Sequence, residues 1–176
     1  MNKKNQIETK RLILRHFKRD DALEMFNNWA SDPEVAKYVT WNAHKDVSET
    51  EYILNIWLEE YKDPKTVRFG ITLKDSGELI GSIDIVRIDD GVPEIGYCSS
   101  RKYWNHGYMT EAVEAFTEYV FSLGYKEIVI EAVRENIGSN RVIQKNGFKF
   151  MYQEEREMSP LKKEKVVINS YKKTII

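Results

Sequence analysis

The chain has 176 residues, 41% hydrophobic and 31% charged, with a formal net charge of −1. That length suits one domain with a proper core, and the near-neutral balance gives no global attraction to nucleic acid or to an anionic membrane. A single cysteine excludes an internal disulfide and suits a reducing, cytoplasmic setting; residues 1–6 lack the apolar core of a leader, and no run has the length of a membrane helix.

Residues 10–17 alternate Leu12 and Leu14 with charged neighbours, which predicts a first strand. Asp20 and Asp21 then precede Ala22, Leu23, Met25, Phe26, Trp29 and Ala30. Acidic residues in a first turn followed by apolar residues at helical spacing predict a helix, broken at Asp32 and Pro33. The aromatic segment with Tyr38, Val39 and Trp41 is irregular. A second helix starts near Asp46 or Ser48, where Ser48, Glu49, Thr50 and Glu51 match a capping box, and Asp63 and Pro64 close it. Strands over 67–73 and 78–88 join through Asp75, Ser76 and Gly77, and Asp89, Asp90 and Gly91 turn the chain into a strand over 94–98. A long helix over 107–123 has Gly124 as its natural stop. A strand over 127–133, a short helix over 139–145 and strands over 148–155 and 165–171 complete the chain. Strands crowd the middle and helices separate the later ones, so the class is α+β (α/β mixed) with a mixed sheet, in a single domain over 1–176.

The chemistry concentrates between Glu94 and Ala112. An extended segment passes through the polar loop Ser99, Ser100, Arg101 and Lys102. Trp104, Asn105, His106, Gly107, Tyr108, Met109 and Thr110 then lead into the long helix. The first N–H groups of a helix have no internal partner and carry partial positive charge, so this junction is suited to an anion, and a phosphorylated ligand is the first expectation. The stretch fits neither G-x-G-x-x-G nor the Walker loop. His16, His44 and His106 lack metal-ligand spacing, and no metal is expected.

Joined to a second stretch, from Asn136 through Ser139 to Asn146, Gly147 and Phe148, this region resembles the GNAT superfamily of acetyl-CoA-dependent N-acetyltransferases. Residues 104–109 fall on that family's Q/R-x-x-G-x-G/A pyrophosphate loop and 136–148 on its N-x-x-(A/S)…G-F segment. The branch that acetylates the N-termini of ribosomal proteins is similar over roughly residues 8–157, through Glu8 to Arg15, Asp32-Pro33-Glu34-Val35 and Tyr103 to Ala112. The resemblance implies a mostly antiparallel mixed sheet of about seven strands flanked by about four helices. It implies acetyl-CoA as cosubstrate and an amine acceptor. A protein N-terminal amine comes first, with a polyamine, amino acid or aminoglycoside as the alternative and a non-catalytic CoA-binding module as the rival. It also allows a homodimer.

The resemblance further implies roles for particular residues. Tyr97, Cys98 and Ser99 lie where the family's strand opens to pair with pantetheine, and Asn136 contacts the same arm. Trp104, Asn105, His106, Gly107, Tyr108, Met109 and Thr110 surround the pyrophosphate, with His106 in place of a basic residue. Arg101, Lys102, Arg141 and Lys145 are candidates for the 3′-phosphate or form a solvated basic face. Asn105 and Met109 depart from the usual Gly and Gly/Ala; Asn accepts positive φ readily, and the Met109 side chain fits if it turns into the core. Glu94 is the candidate base, acting through water, or else a strand-end ion pair. Many relatives have a leaving-group Tyr where this chain has Ile143. The ribosomal-protein branch uses a Ser, matched by Ser139, which fits a helix N-cap equally well. Cys98 reads as a small apolar filler. Trp29, Tyr38, Trp41, Tyr52 and Trp57 divide between core and acceptor wall.

Overall fold

A computed structural model describes residues 6–175; most of the N-terminal stretch read above as lacking a leader lies outside them. The alternation at Leu12 and Leu14 buries both side chains completely. The predicted first strand is β2 (Leu12–Arg15), and an unpredicted strand, β1 (Gln6–Glu8), precedes it and pairs with it antiparallel. They join through a tight turn in which Thr9 N–H donates to the Leu12 carbonyl at 3.0 Å and Leu12 N–H to Thr9 Oγ1 at 2.9 Å.

After β2 the chain winds through a 3₁₀ turn (Arg19–Asp21), α1 (Ala22–Met25) and a π turn (Phe26–Ala30). Asp32 and Pro33 do not simply end this run. Asp32 caps a further short helix, α2 (Pro33–Ala36), by accepting from Glu34 N–H at 2.9 Å, and Pro33 takes the first position, where no N–H is needed. Of the two predicted starts for the next helix, Asp46 is the cap and Ser48 is not. Asp46, in extended geometry, accepts from Ser48 N–H at 2.8 Å and starts α3 (Val47–Glu60), so Ser48 lies inside the helix.

The remaining elements are β3 (Arg68–Leu73), β4 (Leu79–Asp89), β5 (Val92–Ser99), α4 (Tyr108–Ser122), β6 (Glu127–Val133), α5 (Ile137–Lys145), β7 (Lys149–Ser159) and β8 (Lys162–Thr174). One eight-stranded sheet runs β1-β2-β3-β4-β5-β6-β8-β7. Among the described residues this is a mixed sheet of eight strands with five α-helices, close to the seven strands and four helices anticipated. Two apolar cores cover its faces. One, with Phe69, Ile71, Ile83, Phe116 and Ile128, lies under α4; the other, with Phe17, Met25, Trp29, Leu54 and Leu79, lies under α1 and α3. Among the described residues no helix is long and apolar enough to cross a membrane.

The sheet has one discontinuity. Every neighbouring pair is antiparallel except β5 and β6, which run parallel and share a single registered pair, Glu94 with Val129. Beyond that point the strands separate, leaving two facing edges of backbone groups without strand partners.

Candidate active site

The opening between β5 and β6 leads into a cavity of about 570 Å³, lined by residues of β4, β5, β6, the segment after α2, and the start of α5. Glu94, Tyr97, Cys98, Asn136 and Ser139 all border it, so the strand-borne and helix-borne candidates meet in one place. Trp29, Tyr38, Trp41 and Trp57 form aromatic wall, whereas Tyr52 is 67% exposed and belongs to neither wall nor core. The tip of the β7–β8 hairpin ties down this wall. Ser159 Oγ donates to the Thr40 carbonyl at 2.8 Å, and Lys162 Nζ donates to the Ala36 carbonyl.

Burial pushes the Glu94 carboxyl up to about 7, with the negative charge of Glu131 adding to the effect and Arg87 and Arg156 offsetting part of it. Arg87 Nη2 stands 2.7 Å from Glu94 Oε2, so the ion-pair alternative is realised, yet the carboxylate still faces the cavity. A group titrating near neutrality and open to a ligand space has the properties of a general base. Cys98 is the reverse case: burial pushes its thiol up to about 11, consistent with a filler.

Ser139 is not the helix cap. Asn136 is, its Oδ1 accepting from Ser139 N–H at 3.2 Å, which leaves the Ser139 hydroxyl available. That hydroxyl lies 2.9 Å from the Tyr97 hydroxyl, and burial raises the Tyr97 pKa, so the phenol stays protonated. Sequence reasoning placed Tyr97 beside the ligand through its backbone and missed this side-chain pair.

Asn140 was also missed. It is buried and fully satisfied. Its amide donates to the carbonyls of Val133 at 3.0 Å and Asn136 at 2.8 Å, while its Oδ1 accepts from Asn169 Nδ2 at 2.8 Å and Tyr171 OH at 2.7 Å. It thereby joins the turn that aims Asn136 and Ser139 to β8. Asn140→Ala strands several buried partners and is expected to cost about 2–4 kcal/mol, read as a lower denaturant midpoint at unchanged m-value.

The predicted anion loop stands at the other end of β5. Asn105 has φ 62 and Gly107 φ 78, the conformations the sequence suggested for Asn and Gly here. Arg11 holds the loop from below: Nη1 donates to the His106 carbonyl at 3.0 Å, Nε pairs with Glu111 at 2.7 Å, and the guanidinium lies 4.3 Å from the centre of the Tyr108 ring. Met109 packs against the main core, as its departure from Gly/Ala required. His106 Nδ1 donates to the Trp104 carbonyl at 2.7 Å, so only the doubly protonated ring can donate to phosphate through Nε2. Thr110 lies half-buried in the first turn of α4. Ser99 gives its carbonyl to Trp104 Nε1 at 3.0 Å. Arg101 pairs with Asp32 and Lys102 with Glu78, while Arg141 and Lys145 are exposed on α5. Gly107→Ala is expected to lower folding stability by roughly 1 kcal/mol through strain at positive φ, measured as a lower denaturant midpoint.

The splayed strands and the positive-φ loop fit an extended thioester arm with a pyrophosphate at one end. Free strand edges pair with an amide-bearing chain, and helix N–H groups with phosphate. Among the described residues no cluster of three or more His, Cys, Asp or Glu side chains is arranged to hold a metal.

Comparison with known proteins agrees with this geometry. Residues 11–149 match the family model described as an acetyltransferase (GNAT) domain. The chain is 33% identical over 143 residues to the uncharacterized N-acetyltransferase p20 of Bacillus licheniformis, covering 80% of each chain. A solved GNAT-family acetyltransferase of Bacillus anthracis superposes with a TM-score of 0.83 at 25% identity, covering 96% of this chain and 98% of that one. RimL, a ribosomal α-N-protein acetyltransferase solved with coenzyme A, has a TM-score of 0.83 at 18% identity over 97% and 98% of the two chains, and shows likeness of fold. From the matched domain and these relatives, the chain belongs to the GNAT acetyltransferase family and is an N-acetyltransferase.

Proposed function

We propose that this cytoplasmic N-acetyltransferase moves acetyl from acetyl-CoA directly onto the primary amine of a small cationic molecule. The observation that carries the acceptor class is the chemistry of the cavity: the carboxylates Asp84, Glu94 and Glu131 border it, paired in turn with Arg68, Arg87 and Arg156, of which Arg87 alone lines the cavity, with Tyr38, Trp41 and Trp57 beside them. Acidic groups set among aromatic faces favour an ammonium ligand. A volume of about 570 Å³ lies within the range of small-molecule sites, roughly 300–1,000 Å³. The hairpin tip fixed over α2 supports a bounded pocket rather than the open groove a protein N-terminus needs.

Acetyl-CoA supplies the activated acetyl group as a thioester. Glu94 takes a proton from the ammonium through a water, freeing the nitrogen lone pair. Backbone N–H groups at the open edge of β5 polarise the carbonyl oxygen as the N–C bond forms. The Ser139 hydroxyl, oriented by Tyr97, donates to the sulfur as the C–S bond breaks. Asn136 and the loop through Trp104, Asn105, His106, Gly107, Tyr108, Met109 and Thr110 hold the cosubstrate.

A thiol-release assay with acetyl-CoA tests the acceptor against diamines, polyamines, amino acids, aminoglycosides and N-terminal peptides, beside calorimetric CoA binding. Turnover on small amines is expected. Turnover on peptides alone restores the ribosomal-protein-like reading. CoA binding with no turnover on the whole panel counts for a binding module.

A further inference from the structure

The pairing of β4 with β5 slips by one residue beside Glu94. Ile85 faces Ile95, but Arg87 rather than Val86 faces Glu94, so Val86 is the extra residue of a bulge. Bulges of this kind re-aim side chains next to active sites. Val86 leans over the neighbouring strand so closely that a Cβ on Gly96 would lie 2.6 Å from its Cγ1, so the bulge depends on glycine at that position. Without the extra residue the alternation of β4 would send Arg87 to the opposite face.

As built, the Arg87 guanidinium reaches three carboxylates: Nε to Asp89 at 2.9 Å, and Nη2 to Glu94 at 2.7 Å and to Glu131 at 3.7 Å. Glu94 and Glu131 lie side by side because β5 and β6 run parallel at this point, and both border the cavity with Arg87. Two carboxylates so placed repel and favour protonation of one; a shared guanidinium opposes that.

We propose that Arg87 is the positioning residue for Glu94: delivered by the Val86 bulge, its guanidinium aims the carboxylate at the acceptor end of the cavity and holds it ionised against Glu131. This rests on the reading of Glu94 as the group that receives the amine proton. The charged groups facing Glu94 are Arg87 and Asp89 from β4, Glu131 from β6 and Arg156 from β7, and Arg156 is itself engaged with Glu131 and Glu154. Arg87 is the cation in direct contact with Glu94.

The experiment is a pH titration of Glu94 by NMR in protein carrying ¹³C-labelled glutamate, without acceptor, in wild type, Arg87→Ala, Arg87→Lys and Glu131→Gln. The acid limb of kcat/KM is followed on any amine that turns over. Arg87→Ala is expected to raise the Glu94 midpoint by about one pH unit, the scale set by an opposite charge in contact, and to move the acid limb with it. Arg87→Lys stays near wild type, and Glu131→Gln lowers the midpoint. An unmoved midpoint in Arg87→Ala, or a lysine variant that behaves as the alanine one, overturns the proposal. The titration needs no turnover, so failure of every amine would count against the functional reading alone.

Discussion

Glu94→Gln is expected to lower kcat/KM by about 10²–10⁴-fold, the usual contribution of a positioned general base. The amide keeps the shape of the side chain and loses the proton-accepting oxygen. Because the carboxyl titrates at about 7, wild-type activity should climb as pH rises through that value, and the Gln variant should lose this limb. Stability moves the other way. The folded-state pKa is raised above the ordinary 4.5, so between those values the native state holds more protons than the unfolded chain. Stability associated with Glu94 is therefore fully present below about pH 4.5 and lost as pH rises through about 7. Glu94→Gln should melt higher than wild type at pH 8, by an amount worth about 1–2 kcal/mol after allowance for solvent screening, and match it at pH 4. An inactive variant with no gain at pH 8 would place the loss in misfolding rather than in the missing base.

Ser139→Ala is expected to reduce kcat about 10- to 100-fold, the worth of one hydrogen bond to a charged sulfur, while leaving the Kd for CoA within about twofold. Tyr97→Phe should cost less, because Ser139 remains and loses only the partner 2.9 Å away that orients it. The cap belongs to Asn136, so the serine hydroxyl is not holding up the helix and Ser139→Ala should leave thermal stability nearly unchanged. Equal losses in kcat and in CoA affinity would reduce Ser139 to a binding group.

Much of the frame was legible because it depends on local pattern. The β-branched run of β6 has the bounds its composition predicts, and Asn105 and Gly107 occupy the positive-φ positions their chemistry suits. Capping was harder. Ser48 and Ser139 each sit two or three residues after an Asp or Asn that accepts the serine's own N–H and so starts the helix earlier, and side-chain competition of that kind has no periodicity to betray it. The extra strand β1 was not read from the sequence, because three residues are too few to show a period and the turn that returns it to β2 is closed at Thr9. The site was legible where it lies on contiguous motifs. Arg87, Glu131, Asn140 and the Tyr97 side chain were not, because a bulge, a parallel crossover and a hairpin bring in their partners from distant parts of the chain. A carboxylate at 94 can be named from sequence; the cation that faces it depends on a one-residue slip.

The single registered pair between β5 and β6 makes the sheet two plates meeting at a seam. Each plate is one continuous run of chain, β1 to β5 on one side and β6 to β8 on the other, hinged through α4. A ligand lying in the seam would bond to both plates, and whatever binds the native state alone stabilises it by mass action. The two plates also share one buried core, so a bound thioester adds to a joint that already exists, and saturating donor should raise the melting temperature and slow proteolysis of the folded protein.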